Sequence, residues 1–367
     1  MTDPRVTRMA QVLVGYSLGV KEGELVRIQG NPEGAPLLLA LYEEVLSRGG
    51  HPWVQLGLEG ADELFFTRAN DAQLDFVPRF ARAIIEEIQA SVSVWTETNT
   101  KRLTSADPAR QARRARATRP LSERFLERAA RKELRWTGTI FPTPAFAQDA
   151  EMSLREFAEF VFRACRVDEP DPVAAWQEVS RRQGELIRWL STRDEVHIVG
   201  PDTDLRLRTG GRTWINCDGH ENFPDGEIFT GPVEDSVEGH IRFTYPAVAY
   251  GREVEDVRLE FRDGKVVQAR AGKNEDFLLK MLDTDEGARY VGEFAFGTNP
   301  GIQRFTKNLL FDEKIGGTVH LALGKGYPES GSKNTSAIHW DMVCDLRPGG
   351  EIRVDGVVVL RDGKFLV

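Results

Sequence analysis

Apolar positions recur at helical spacing in the first half of the chain and at strand spacing in the second. VTRMAQVLVGYSL carries its apolar residues on one helical face, and ELVRIQG is a short strand ending in glycine. APLLLALYEEVLSRGG is a helix stopped by Gly49 and Gly50, and HPWVQLGL is the next strand. VPRFARAIIEEIQA continues as helix and ASVSVWTETN as strand. Strands alternating with helices through short connectors predict a parallel sheet flanked by helices. Further helices are expected in ERFLERAARKEL, SLREFAEFVFRACRV and PDPVAAWQEVSRRQGELIRWLSTR, the last with Asp171 as cap and Pro172 in its first turn.

Near residue 194 the period changes to two. DEVHIVGPDTDLRLRTGG, GHIRFTYPAVAYGREVEDVRLEFRDGKVVQARAG and GEIRVDGVVVLRDGKFLV alternate apolar and polar residues, and the turn RDGK occurs twice. One helix is expected at NEDFLLKMLDTDEGARYV. The chain therefore reads as an α/β N-terminal domain over 1–192, a parallel sheet with flanking helices. A mainly antiparallel β (α+β) C-terminal domain follows over 193–367 and carries the candidate metal site.

Composition narrows the class. A length of 367 residues suits two domains, and 41% hydrophobic content supports substantial cores. No apolar run reaches the roughly 18 residues of a membrane-spanning helix, and MTDPRVTRMA lacks the basic and apolar regions of a secretory signal. Cys165, Cys217 and Cys344 are too dispersed for a disulfide framework or a paired metal site, which points to a reducing cytoplasm. A net charge of -9 argues against nucleic acid as a partner. The basic stretch ARQARRARATR, Ala109 to Arg119, reads as a solvated helix face paired with neighbouring acids. The glycine-rich nucleotide-binding motifs, HExxH and GxSxG are absent, so nucleotide binding and serine-hydrolase chemistry have no positive signal.

The chain has only 6 histidines, and SAIHWDMV sets His339 two residues before Asp341 in a strand-like run. Side chains two apart on a strand share a face, with Trp340 on the other. An imidazole and a carboxylate that converge can ligate a divalent cation, although the spacing alone also describes a surface hydrogen bond. His320 in TVHLALG has a core reading as well. Glu293 in YVGEFAFG and Glu227 in GEIFTGP lie among apolar residues, where a carboxylate is costly unless paired or metal-bound. Together the five supply the donors of a two-metal hydrolytic site, and Glu313 in LLFDEKIGG is a weaker sixth. Tyr327 in GKGYPESG is placed either to donate to a developing oxyanion or to pack on Pro328. His320, His339 and Asp341 alone would make the 2-His-1-carboxylate triad of a mononuclear iron ring-cleaving oxygenase. A third reading is a non-enzymatic binding protein. Glu227 and Glu293 argue against both of these readings.

The ordered set GEIFTGP, VGEFAFG, NLLFDE, VHLALGKGYP and GSKNTSAIHWD resembles the aminopeptidase T family of metallo-aminopeptidases. YSLGVKEGELVRIQG and LDTDEGARYVGEFAF extend the resemblance over nearly the whole chain. The resemblance implies a dimeric, cytoplasmic exopeptidase of two domains that acts on peptides with a free N-terminus, without nucleic acid or membrane partners. It implies two divalent ions, zinc or cobalt, with magnesium or manganese as further candidates. It implies Glu227, Glu293, His320, His339 and Asp341 as ligands, with Glu293 bridging and also serving in catalysis beside Tyr327. Glu313 corresponds to the family's acidic residue before the first histidine, but here the interval to His320 is longer than the family pattern.

Overall fold

The alternation in the first half of the chain closes into a sheet of parallel strands, as expected. In this computed structural model, which describes residues 3–367, Leu25–Gly30 pairs with both His51–Leu56 and Ala90–Trp95. Arg135–Ile140 follows in the same parallel sense. The helix Ala35–Ser47 buries Leu37, Leu38, Leu41 and Val45, the leucines and valine that its periodicity brought to one side. A fifth parallel strand, Asn222–Phe223, joins beyond Arg135–Ile140 from far along the chain. Two residues carry no readable period, so the sequence pattern did not reveal it.

The arginine-rich stretch lies in the helix Pro108–Ala130. Arg113 pairs with Asp75 at 2.6 Å and Asp71 at 2.5 Å, as a solvated, acid-paired face should. Arg114 does something further: it donates to the carbonyls of Leu74 and Phe76, at 3.2 and 2.6 Å. Part of the basic run thus fastens this helix to the Asp71–Asp75 helix.

The second half is antiparallel. An eight-stranded sheet and a five-stranded sheet share one core, in which Ile198, Leu205 and Leu207 meet Phe294, Phe296, Leu321, Trp340 and Met342. Both RDGK segments are tight turns with left-handed Asp263–Gly264 and Asp362–Gly363. The helix expected over NEDFLLKMLDTDEGARYV is broken into Glu275–Leu282 and a 3-10 turn, Glu286–Arg289. Asp285 causes the break. Its backbone is extended, and its carboxylate accepts from the Ala337 N–H and the Ser336 hydroxyl, each at 2.7 Å.

The chain divides into two compact units, 1–173 with 219–223 and 174–218 with 224–367. The division falls in the first turn of the helix Pro172–Leu190 and not at 192/193. That helix packs Leu186, Ile187, Trp189 and Leu190 on the second unit's core. Among the described residues no helix is long and apolar enough to cross a membrane.

Phe296 is fully buried between Trp214, Phe294 and Phe365. Phe296→Ala is expected to cost about 3–5 kcal/mol in urea denaturation. Val267→Ala, at a half-exposed strand position, should stay within about 0.5 kcal/mol.

Candidate metal centre

The five-stranded sheet of the second unit runs in the order His339–Asp345, Thr318–Gly324, Val291–Gly297, Glu227–Thr230, Ile215–Cys217. Four adjacent strands therefore carry Asp341 with His339, His320, Glu293 and Glu227. Register brings the donors together. Ala322 lies between Glu293 and Asp341, and Ala295 is opposite His320. On this face the intervening side chains are small, which leaves room where the long donors converge. On the other face Phe294, Phe296, Leu321 and Trp340 anchor the same strands in the core. Gly226, with φ +117, turns the chain into the Glu227 strand. A Cβ there would meet the Asn299 Cβ at 2.8 Å.

One donor atom each from Glu293, His320 and Asp341 lies within 4.8 Å of the others. His320 Nε2 is 3.2 Å from Glu293 and 3.7 Å from Glu227. His339 Nε2 is 3.3 Å from Asp341 and 3.9 Å from Glu293. Each histidine is oriented through its other nitrogen: His320 Nδ1 donates to the Glu313 carbonyl at 3.1 Å and His339 Nδ1 to the Lys325 carbonyl at 2.7 Å. A carbonyl only accepts, so Nδ1 holds the hydrogen and Nε2 is the atom presented to a cation. Glu227, Glu293, His320 and Asp341 form a buried floor, whereas His339 is at the edge with 27% of its side chain exposed. Tyr327 is also on the rim. Its ring lies 5.3 Å from that of His339 and 5.4 Å from that of Phe229.

The donors fit a divalent cation. Glu227 Oε2 and Glu293 Oε2 are buried oxygens with no hydrogen-bond partner, and both belong to residues that meet His320. A buried carboxylate oxygen without a partner is expensive, and a cation between imidazoles and carboxylates would satisfy it. The titration behaviour agrees. Burial pulls the His320 pKa down, but Glu293, Glu227 and Glu313 outweigh it and raise it to about 9. Burial likewise opposes the rise at His339, where Asp341 and Glu293 prevail and lift it to about 10. Burial raises Glu293. Asp341 is lowered because its bond to His339 overcomes burial. Burial, then the nearby carboxylates, holds the Tyr327 phenol protonated well above its ordinary range.

Glu313 stands apart from that cluster. Its carboxylate meets the Lys314 ammonium at 2.9 Å, and Lys314 also reaches Glu227 at 3.4 Å. Lys314 is fully enclosed, the one lysine buried among the described residues. The sequence reading passed over it because a lysine in a glycine-containing loop ordinarily points to water. It also passed over Gln183, buried on the helix Pro172–Leu190, which donates to the Glu227 carbonyl at 2.9 Å and accepts from Thr298 at 2.9 Å. Cys217, Asp225 and Glu227 form a second group of converging donors, but burial and the two carboxylates push the Cys217 thiol up, away from the thiolate that ligates metals.

The sequence model of the thermophilic metalloprotease family (M29) matches residues 2–365. The chain is 30% identical to aminopeptidase T of Thermus thermophilus, over 98% of each chain. The structure of wild-type AmpT from Thermus thermophilus superimposes with a TM-score of 0.86 at 26% identity, covering 99% of both chains. A dioxygenase of Pseudomonas putida KT2440 that acts on a dihydroxylated pyridine shares the fold, with TM-score 0.59 at 14% identity over 99% of this chain and 97% of that one.

Cation uptake is expected to release protons, because His320 and His339 must become neutral to ligate. In the ion-free protein their pKa values are raised above the ordinary 6.5, so the stability they contribute is complete below pH 6.5 and is lost as pH rises through about 9 and 10. Ion binding gains over the same interval. The difference in Tm between ion-loaded and ion-free protein should therefore widen from about pH 6 to pH 9. Calorimetry in buffers of different ionisation enthalpy measures the released protons. His339→Ala should weaken cation affinity by at least about tenfold with the far-UV circular dichroism unchanged.

Proposed function

Because the chain belongs to the thermophilic metalloprotease family (M29) and is a metal-dependent aminopeptidase, we propose that the face formed by Glu227, Glu293, His320, His339 and Asp341 is its catalytic centre. The observation that carries this reading is the pair of unpartnered buried carboxylate oxygens beside two imidazoles whose Nε2 atoms are turned toward the carboxylates. Zinc or cobalt suits such a mixed imidazole and carboxylate set better than magnesium or manganese, and five residues offer donors enough for two ions. When bound, a divalent ion supplies Lewis acidity and lowers the pKa of water toward neutrality.

The chain's own residues do the rest. The neutral Tyr327 phenol donates a hydrogen bond to the scissile carbonyl oxygen as negative charge develops there. Glu293, made more basic by burial, accepts a proton from the attacking water and returns it to the leaving amine. The acidic floor attracts the ammonium of a free N-terminus, which restricts cleavage to the first peptide bond. Beside Asp341 lies a cavity of about 260 Å³ whose apolar wall is Pro246, Val248, Phe305, Leu309 and Val343, a place for the first side chain. Lys307, Asn308 and Asp312 complete its lining, so the cavity offers a first side chain both apolar surface and polar groups. The dispersed, buried cysteines Cys165 and Cys344 support a reducing cytoplasm as the place of action, and a homodimer is the assembly we assign by resemblance to the family.

The second reading, a mononuclear iron oxygenase, draws on His320, His339 and Asp341, but Glu227 and Glu293 would fill positions that oxygen and substrate need. Leucyl-p-nitroanilide should be cleaved by the ion-loaded protein and not after chelation, and its N-acetylated form should resist. Absence of cleavage, with oxygen uptake on adding ferrous iron and a hydroxylated aromatic, would support the oxygenase. Tyr327→Phe should lower kcat by about 10²–10³ with little change in KM.

A further inference from the structure

Lys314 is the buried charge that the proposed mechanism does not use. It follows the short helix Leu309–Asp312, in the turn that leads back to the Thr318–Gly324 strand. Its ammonium is wholly shielded from solvent, 2.9 Å from Glu313 and 3.4 Å from Glu227, with Asp225 adding to the negative field around it. Glu227 and Glu313 are two of the six acidic and imidazole residues expected to share a pair of ions. A divalent cation held by these two carboxylates would stand against a fixed positive charge a few ångströms away, where the surroundings screen weakly. The unpartnered oxygens lie elsewhere. Glu227 Oε2 faces His320 at 3.7 Å and Glu293 Oε2 faces His339 at 3.9 Å, on the side where His320, Glu293 and Asp341 converge.

We propose that the Lys314 ammonium permanently takes the place of one of the two divalent cations, so that each chain binds a single ion at Glu227, Glu293, His320, His339 and Asp341. Glu313 is then the counter-ion of Lys314 and a positioning residue, holding His320 through its carbonyl and Lys314 through its carboxylate. Glu227 is shared, with one oxygen on the ammonium and the other toward the ion. This inference rests on the metallo-aminopeptidase reading and specifies its cation count.

The test is stoichiometry, independent of turnover. Full-length protein stripped with chelator is loaded with zinc or manganese and desalted. Bound metal is then counted by mass spectrometry and by calorimetric titration. One ion per wild-type chain is expected. Lys314→Ala, which removes the charge and opens space, should take up a second. Two ions in the wild-type chain would overturn the inference and leave the aminopeptidase reading standing if leucyl-p-nitroanilide is still cleaved. No bound ion would overturn both. A folded Lys314→Ala variant that still holds one ion would also overturn the exchange of ammonium for cation. If that variant fails to fold, the wild-type count alone decides.

Discussion

Everything at the centre depends on one constraint, the burial of several carboxylates on a single face of a β-sheet. Glu227, Glu293 and Asp341 are each at most 6% exposed, and Glu313 is partly buried. A lone buried carboxylate would be protonated or would unfold its strand. Here each has a cationic or potentially cationic neighbour: His320 serves Glu293 and Glu227, His339 serves Asp341, and Lys314 serves Glu313 and Glu227. Pairing of this kind does not itself stabilise much, since desolvation offsets the attraction. Its value is that the negative charge is held in place before a cation or substrate arrives.

That arrangement explains the division between the two faces of the sheet. Phe294, Phe296, Leu321, Trp340 and Met342 bind the strands to a dense core, so the backbone beneath the donors cannot relax away from their mutual repulsion. Ala295 and Ala322 on the donor face keep the space above that backbone open. Carbonyls of Glu313 and Lys325 fix the imidazoles, and Gln183 fixes the Glu227 strand from the helix above. The rim differs in kind from the floor. His339 and Tyr327 are partly exposed, while the charge beneath them is shielded from solvent.

Legibility in the sequence followed the distance over which a signal acts. Period and turn chemistry are local, so the parallel sheet, the antiparallel strands and both RDGK turns could be read directly. His339 and Asp341 were readable for the same reason, since a spacing of two fixes a shared face. Glu227, Glu293 and His320 stood out as polar residues in apolar runs, although their convergence depends on the pairing of four strands. What escaped was set by contacts that leave no local trace. The Asn222–Phe223 strand is too short for a period, and Asp285 breaks a helix through a bond to residues some fifty positions away. Gln183 looks like any polar residue of an amphipathic helix. Lys314 beside a glycine pair has the composition of a solvent-exposed loop, and only the fold shows that the loop turns inward.

The location of Lys314 in a loop has a consequence for the scaffold. The strands hold donors at positions fixed by register, and any change there disturbs both the core and the centre. The segment from Glu313 to Gly317 makes a turn between a short helix and a strand, held in place by the bridge of Ile315 to Asn299 and outside the strand register. A positive charge can be delivered from that turn to Glu227 without altering any strand residue. On the proposed reading, the number of cations is set from a connecting segment while the acidic face of the sheet stays the same. The same fold occurs in a dioxygenase, at 14% identity, so the scaffold alone does not fix the chemistry. In this chain Glu227 and Glu293 keep the face acidic, and Lys314 lays a fixed positive charge beside it.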